Sequence, residues 1–334
     1  MRRIPQTPRP ARAGFTLIEL LVVIAIIAVL IGLTGAAVMR ARTKGDEVKN
    51  RSRISQMSSA VQSFTSKTGK DFIPSRILLR NDGNYNLANA FELASLQYLK
   101  SLWPRLQFPV YNTGVPVTDP AFSLGWCPDD PAAALGSAYM LEGDQCVVFF
   151  LGGMQRNRAC MGFANNTSNP TLVNATASPP YMDFPTADLW PKFSDPLPPP
   201  SPTRAQYFMS YLDPYGLPYA YFSSRSFSPA VAPFNVPPFT LPGYNPNDCA
   251  GLAVISMMLT QTSTQPGPCF EPSGKFYNRD GFQIFSAGSK KLYGPGALSG
   301  LPWDSGTGMP YSPGFPGYDN MSNFHQRIMG AGSN

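Results

Sequence analysis

The stretch Gly14-Phe15-Thr16-Leu17-Ile18-Glu19-Leu20-Leu21 decides the fold of this chain, because it joins a basic leader to a long apolar run. The leader, residues 1–14, carries four arginines and no acid, whereas the run Phe15–Val38 has a single charged residue, Glu19. As an α-helix the run is roughly 36 Å long, and a bilayer hydrocarbon core is about 30 Å thick. The sequence therefore predicts a membrane-spanning helix in residues 15–38.

The small residue Gly14 stands before the apolar run. An ordinary secretory signal has a shorter apolar core, and its cleavage site follows that core. Cleavage after Gly14 removes the charged leader and keeps the apolar helix at the new N-terminus. Positive-inside counting does not fix the orientation. Basic residues also follow the run, at Arg40, Arg42, Lys44, Lys49, Arg51 and Arg53.

This order of parts resembles the class III signal of type IV pilins and type II secretion pseudopilins. The resemblance implies cleavage after Gly14 by a prepilin peptidase and methylation of the new N-terminal Phe15. It also implies assembly with other pilin or pseudopilin subunits into a helical filament, on an inner-membrane assembly platform. The implied location is the bacterial inner membrane, crossed once, with the leader in the cytoplasm and the body in the periplasm or outside the cell.

Glu19 is unusual because a carboxylate inside a spanning helix costs on the order of 2.5–3.5 kcal/mol on insertion scales, and such residues usually have a function. The resemblance implies that Glu19, the fifth residue of the mature chain, pairs with the Phe15 ammonium of a neighbouring subunit. That pair would neutralise both charges and set the register between subunits. The alternative is a carboxylate that lies near the headgroups by chance.

The net charge of +6 comes mostly from the leader, since 22 basic and 20 acidic residues remain without it. The basicity is therefore a targeting feature, and no nucleic-acid partner is expected. Proline and glycine, at 36 and 29 of 334 residues, predict a loop-rich body with modest regular structure. The only histidine is His325, and no Walker A, H-E-x-x-H or G-x-S-x-G motif occurs, so an enzyme is not expected.

The five cysteines allow disulfides if the body lies outside the cytoplasm, and their odd number leaves at least one unpaired. Cys249 and Cys269 flank one segment and are the first candidate pair. Cys146 lies in the apolar stretch Cys146–Leu151 and is predicted to be a small core residue. No C-x-x-C occurs, so neither a zinc knuckle nor a thioredoxin-like motif is indicated.

The N-terminal helix is predicted to continue to Thr68, because apolar residues line one face of residues 52–68. Gly69 is the predicted stop. Gly32 and Gly35 weaken the middle of this helix, and a locally melted stretch around them is one hypothesis.

A second helix is predicted at Ala90–Trp103. The apolar stretch 144–151 fits either a strand or a buried helix. Residues 163–206 are predicted to form an irregular surface excursion. Within it, the segment Pro196–Pro202 is predicted to be extended polyproline II.

A second resemblance lies in the body. Residues 213–221, Asp-Pro-Tyr-Gly-Leu-Pro-Tyr-Ala-Tyr, are similar to the D-P-W-G-x-P-Y-x-Y segment of major pseudopilins, a turn that leads into a strand of their C-terminal sheet. Residues 280–288 resemble the later strand that precedes the calcium loop of that family, and 319–324 take the place of its closing segment. Residues 104–206 are much longer than the corresponding region of a small pseudopilin.

Calcium is the one cofactor that this resemblance brings into question, and none is required. Calcium prefers six to eight oxygen ligands, with carboxylates prominent. Two lysines follow Gly288 where the family has an acid, and Asn320 stands where the second acid of the closing pair is expected. Asp304, Asp319 and Asn320 are the remaining candidate ligands. The alternative is a loop held by proline, glycine and hydrogen bonds.

The predicted fold class is α+β. A long N-terminal helix, membrane-spanning in its first half, would pack on a small antiparallel sheet that carries a large loop-rich insertion. The predicted parts are a cleaved leader (1–14), a transmembrane or filament-core helix (15–38), its amphipathic continuation (39–68), and a globular body (69–334) with an insertion at about 104–206.

The predicted function is a pilin-like or pseudopilin-like structural subunit of a type II secretion pseudopilus or a type IV pilus-like filament. One alternative is a membrane-anchored extracytoplasmic binding protein that uses the same signal without polymerising. Another is an ordinary single-span protein that keeps its leader.

Overall fold

The computed structural model describes residues 16–106, 124–128, 137–166, 168–172, 176–191, 208–227, 234–236, 239–241, 243–253, 256–257 and 264–332. The chain forms two compact units, residues 1–48 and 49–334. The α-helices with defined bounds are α1 (Leu17–Thr68), α2 (Ala90–Leu102) and α3 (Gly143–Gly152). Residues 252–253 and 256–257 are also helical, and short 3₁₀ helices lie at Thr186–Asp188, Pro246–Cys249, Gly296–Ser299 and Met329–Ala331. The strands there are β1 (Arg76–Arg80), β2 (Ala138–Glu142), β3 (Gln155–Arg156), β4 (Ala159–Cys160), β5 (Leu189–Pro191), β6 (Met209–Tyr211), β7 (Ala220–Ser223), β8 (Phe234–Val236), β9 (Phe239–Leu241), β10 (Phe282–Ser286) and β11 (Met321–Ser322).

Helix α1 is continuous from Leu17 to Thr68 and ends where the sequence predicts, at Gly69, whose φ is +65°. It passes through Gly32 and Gly35 without a break, so the locally melted stretch is not found. Each glycine costs up to about 1 kcal/mol in a helix. The alanine, leucine and methionine residues around them have high helix propensity.

The first unit exposes the apolar side chains of α1. Exposed fractions are 82% for Leu17, 62% for Val29 and 65% for Ile31. In the described part of the chain, no helix has the combined length and apolar character that a membrane span requires. The predicted span in residues 15–38 is therefore not confirmed.

In the second unit, one face of α1 packs into the main hydrophobic core, as the spacing of its apolar residues predicts. The buried residues on that face are Ile54, Met57, Ala60, Val61 and Phe64. Helix α3 lies in the same core, and all ten of its residues are buried. The ambiguous apolar stretch 144–151 is therefore a helix. Its capping box, formed by Glu142 and Gln145, defines the start.

Short antiparallel sheets surround this core. Strands β1 and β2 pair along their whole length, from Arg76 opposite Glu142 to Arg80 opposite Ala138. A three-stranded sheet has the order β11-β10-β7, with Phe285 opposite both Ala220 and Ser322. This sheet lies in the region where the sequence predicts the small antiparallel sheet. The other described pairs are β3-β4, β5-β6 and β8-β9.

The region predicted as a loop-rich insertion, 104–206, contributes more than loops. It supplies β2 and α3, and therefore the centre of the main core. The reason is the apolar character of Cys146–Leu151, since such a stretch gains most when it is fully buried. Residues 181–189, within the predicted surface excursion, also bury Met182, Phe184 and Leu189. The predicted polyproline segment 196–202 lies outside the described residues.

Candidate assembly site and body junction

The N-terminal end of α1 holds Glu19 in a capping box. The Thr16 backbone N–H donates to Glu19 Oε2 at 2.9 Å, and the Thr16 hydroxyl donates to the same oxygen at 2.8 Å. In return the Glu19 N–H donates to Thr16 Oγ1 at 3.3 Å. This reciprocal arrangement satisfies N–H groups that a helix start leaves unpaired. The carboxylate is therefore held at the helix start. Gly14 and Phe15, the predicted processing residues, lie outside the described residues.

The apolar side chains that follow Glu19 form an exposed surface around α1. Each is at least 46% exposed, and they are Leu20, Leu21, Val22, Val23, Ile24, Ile26, Ile27, Val29, Leu30 and Ile31. Burying one such side chain gains about 1.5–3 kcal/mol. Monomeric soluble proteins rarely expose a contiguous apolar surface of this extent, which is typical of protein–protein or membrane contact.

Buried polar side chains join α1 to the three-stranded sheet. Asn50 of α1 donates from Nδ2 to Ser286 Oγ at 2.7 Å, and its Oδ1 accepts from the Tyr219 hydroxyl at 2.6 Å. Ser286 in turn donates to Asp213 Oδ2 at 2.7 Å. A buried polar network with every member paired makes the arrangement of its elements specific. Asn50 thus fixes how α1 sits on the sheet within this unit.

Asp213 organises the turn at the start of residues 213–221, the segment that resembles a turn of major pseudopilins. Its Oδ1 accepts from the N–H groups of Tyr215 and Leu217, at 2.9 and 3.0 Å. Gly216 supplies the positive φ of the turn, +88°. Burial raises the pKa of the Asp213 carboxyl to about 6, although the hydrogen bonds from Ser286 and the backbone oppose that rise. The turn leads into strand β7, as the sequence pattern predicts.

Arg53 makes a second link from α1 to the body. Its guanidinium is nearly buried, forms an ion pair with Asp188 and donates to the Leu212 carbonyl at 2.9 Å. It also lies 5.1 Å from the ring centroid of Tyr211. In the sequence, Arg53 is one of several basic residues that follow the apolar run. Its spacing of four from Met57 on the buried face of α1 was the available signal.

Asn320 of the closing segment, a candidate calcium ligand, is committed to hydrogen bonds with the loop after β10. Asn320 is buried, and its Nδ2 donates to the carbonyls of Ser286 and Leu292 at 2.8 and 3.1 Å. Its Oδ1 accepts from the Gly294 N–H at 2.7 Å. The carbonyl oxygens of Ser286 and Leu292 therefore already accept hydrogen bonds from the Asn320 amide. The amide holds the loop after β10 against β11, as in the hydrogen-bonded alternative.

The two aspartates proposed as calcium ligands are used elsewhere. Asp304 caps its own turn, accepting from the Gly306 N–H at 2.9 Å and the Thr307 hydroxyl at 2.9 Å, and the Gly306 bond lowers its pKa. Asp319 accepts from the Ser289 hydroxyl at 2.7 Å. Across the described ranges, no group of three or more acidic, cysteine or histidine side chains is placed to hold a metal ion.

The predicted disulfide Cys249–Cys269 is not formed in the structure, and both thiols are buried. The Cys249 thiol donates to the Tyr221 carbonyl at 3.2 Å. The Cys269 sulfur lies 3.6 Å from the Tyr311 hydroxyl, and burial raises its pKa to about 12. Both residues pack in a second hydrophobic cluster beside the three-stranded sheet. They act there as small apolar side chains, as does Cys146 in α3.

A model of the prokaryotic N-terminal methylation motif matches residues 9–35. This motif is the signature of the prepilin-type signals of type IV pilins and pseudopilins, so the predicted resemblance of the N-terminal segment is confirmed. The matched range contains Gly14, Phe15 and Glu19, and it indicates an exported, envelope-associated protein of the pilin-like kind. No curated protein and no solved structure matches the chain.

Proposed function

We propose that this protein is a pilin-like structural subunit, made as a precursor, cleaved after Gly14 and methylated on Phe15. The mature chain then assembles into a type II secretion pseudopilus or a type IV pilus-like filament. The observation that carries the proposal is a methylation motif at residues 9–35 whose second part, from Leu17 onward, is the start of α1 with its exposed apolar side chains. Neighbouring copies of α1 would cover those side chains in the filament core.

Before assembly, the apolar part of α1 anchors the subunit once in the inner membrane, with residues 49–334 on the outer side. The prepilin peptidase, an inner-membrane assembly platform and other pilin or pseudopilin subunits are the partners of this pathway. The chain works as a building block and not as a catalyst. Its loop after β10 needs no calcium, because the Asn320 amide already bridges the carbonyls there.

Glu19 has two roles in this proposal. In the free subunit its carboxylate is held by Thr16 at the helix start. During assembly the same carboxylate pairs with the Phe15 ammonium of a neighbouring subunit, where the low dielectric strengthens the attraction. The charge then defines the register, because a shift of the neighbouring helix leaves both ions unpaired in an apolar core.

The first experiment is intact-mass analysis of the N-terminal peptide from the native host, with and without its prepilin peptidase. The proposal expects a mature chain that starts at N-methylated Phe15 and appears only when the peptidase is present. A chain that keeps Arg2 and Arg3 in both strains would refute processing and leave a single-span protein with its leader. Carbonate extraction of the peptidase-deficient strain tests the membrane anchor separately.

The matched pair Glu19→Gln and Glu19→Ala separates filament assembly from a non-polymerising anchor and isolates the charge. Glutamine keeps an oxygen for the Thr16 N–H, as capping boxes allow, but carries no charge. Both variants should be processed, and neither should yield sheared filaments. If Glu19→Gln assembles like the parent while Glu19→Ala fails, capping and not charge is the requirement. If both assemble normally, the chain has no register charge at Glu19.

A further inference from the structure

A band of basic side chains follows the apolar part of α1 within the first unit. The last apolar residue of the run, Met39, is 73% exposed. The three members of the basic band come directly after it and are also exposed, and they are Arg40, Arg42 and Lys44. The sequence contains no acid between Glu19 and Asp46. The surface of α1 therefore changes from apolar to positive within about one helical turn.

The basic band lies at the depth of one headgroup layer when the apolar run spans a bilayer. Its three residues lie about 1.5, 4.5 and 7.5 Å beyond Met39 along the helix axis. A bilayer about 40–45 Å thick with a hydrocarbon core of about 30 Å has a headgroup layer of roughly 5–7.5 Å on each side. The first acid after the run, Asp46, lies about 10.5 Å beyond Met39 and therefore outside this layer. The charges of α1 within the layer are all positive.

The two arginines of the band are available to a ligand. Neither Arg40 nor Arg42 forms a hydrogen bond or an ion pair with any residue that the structure describes. Lys44 forms an ion pair with Glu47 at 2.7 Å, but its side chain remains 71% exposed. At about 100° per residue, Arg42 points about 200° around the helix from Arg40. Guanidinium groups therefore lie on opposite sides of α1, and their planar forks suit phosphate oxygens.

We propose that the basic band binds the phosphate oxygens of anionic phospholipid headgroups and so holds the subunit in the membrane before assembly. This inference rests on the membrane anchor of the proposed function. Charge complementarity carries it, because positive side chains at headgroup depth attract anionic lipids. The band also opposes the proposed orientation, since basic residues favour the cytoplasmic side of a spanning helix. Anionic headgroups on the outer side would neutralise the band and offset that conflict.

The test measures lipid selectivity by electron spin resonance. The full chain is reconstituted into phosphatidylcholine vesicles that contain a trace of spin-labelled phosphatidylglycerol or, as the neutral control, spin-labelled phosphatidylcholine. Lipids in contact with a spanning helix give a motionally restricted component, and the ratio of the two restricted fractions is the relative affinity. The affinity for phosphatidylglycerol should be more than about fivefold higher at low salt. This preference should shrink near 1 M salt, where the Debye length is about 3 Å.

Two double variants make the test specific. Arg40→Gln with Arg42→Gln keeps good helix formers in α1 and should lower the preference by about fivefold or more, the factor that one basic residue contributes near an anionic surface. The matched control is Arg105→Gln with Arg279→Gln, which removes the same charge from exposed positions in the second unit. Its preference should stay within about twofold of the parent, because no charge of the band is lost. The leader arginines are common to all three proteins, so the difference reports the band.

The outcomes separate this inference from the function on which it rests. A restricted component for neither lipid would refute the membrane anchor itself. Equal restricted fractions for the two lipids would overturn the lipid inference and leave the anchor in place. An unchanged preference in the Arg40 and Arg42 variant, or an equal loss in the control, would also overturn it, since the charge then acts from elsewhere. If selectivity is absent and that variant yields no sheared filaments, the band instead contacts a second copy of the chain.

Discussion

Asp213 should make the stability of this protein depend on pH in a direction opposite to that of an ordinary paired carboxylate. Its side chain is 3% exposed and joins the turn at Tyr215 to Ser286 of β10. Burial raises its pKa from 3.8 to about 6. The folded state therefore binds the Asp213 proton more tightly than the unfolded chain does. The stabilisation is complete below about pH 3.8 and is lost as the pH rises through about 6.

The size of this effect follows from the two pKa values. Each unit of difference corresponds to 1.36 kcal/mol, so Asp213 should lower the free energy of unfolding by about 3 kcal/mol between pH 3.5 and pH 7. The substitution Asp213→Asn removes the titration and keeps the shape. The asparagine Oδ1 can still accept from Tyr215 and Leu217, and its amide can donate to Ser286.

The assay is urea unfolding of the full chain in non-ionic detergent, followed by the fluorescence of its four tryptophans. Parent and Asp213→Asn are measured at several pH values from 3.5 to 7, and free energies are extrapolated to water. All other carboxylates are shared, so the difference between the two proteins isolates Asp213. That difference should move by about 3 kcal/mol in favour of the variant as the pH rises. Parallel curves, constant to within about 0.5 kcal/mol, would refute the assignment of a raised pKa to Asp213.

Two further substitutions test the loop after β10 and the fit of α3. Asn320→Asp removes the amide that donates to Ser286 and Leu292 and places a carboxylate against both carbonyls. In the presence of a chelator, Asn320→Asp should lower the free energy of unfolding by about 2–4 kcal/mol. Calcium chloride should restore part of the variant's melting temperature, whereas the parent should melt at the same temperature in both solutions. A parent that loses stability in chelator would contradict the role of the Asn320 amide in holding this loop. Gly143→Ala places a Cβ 1.8 Å from the Tyr221 carbonyl oxygen and should cost more than about 4 kcal/mol. The control is Gly45→Ala, whose added Cβ has no neighbour within 4 Å and should stabilise α1 by up to about 1 kcal/mol. Equal melting temperatures for the two variants would show that α3 is misplaced.

Local patterns in the sequence predicted the elements that depend on local physics. The helical period ends at Gly69 and predicted the end of α1. The apolar spacing of residues 90–103 predicted α2, which ends one residue earlier, at Leu102. The structure adds Asn89, whose side chain accepts from the Phe91 and Glu92 N–H groups, as the cap of α2. The turn at Asp213 was predicted for the same reason, because proline and glycine restrict the chain without help from distant residues.

Contacts between distant residues escaped prediction. Asn50 bonds to Ser286, which lies 236 positions later. Its spacing of four from Ile54 places it on the buried face of α1, but the period of the helix does not indicate its partner. Helix α3 was ambiguous because a short apolar run carries no periodicity when every face is buried. The expected disulfide was wrong because spacing in sequence does not define which atoms a thiol meets in a core. No pattern in the sequence indicated that the Asn320 amide donates to two backbone carbonyls.

Helix α3 has a consequence for how the enlarged body can be changed. All ten of its residues are buried, and they contact elements on both sides of it in the sequence, including β1 before it and β6 after it. A surface insertion can be deleted without loss of the core, but α3 is part of the main hydrophobic core. Deletion of 104–206 should therefore not return a smaller subunit with its sheet intact. The enlarged region is therefore needed for the body to fold. A shortened version of the protein would have to keep residues 138–152.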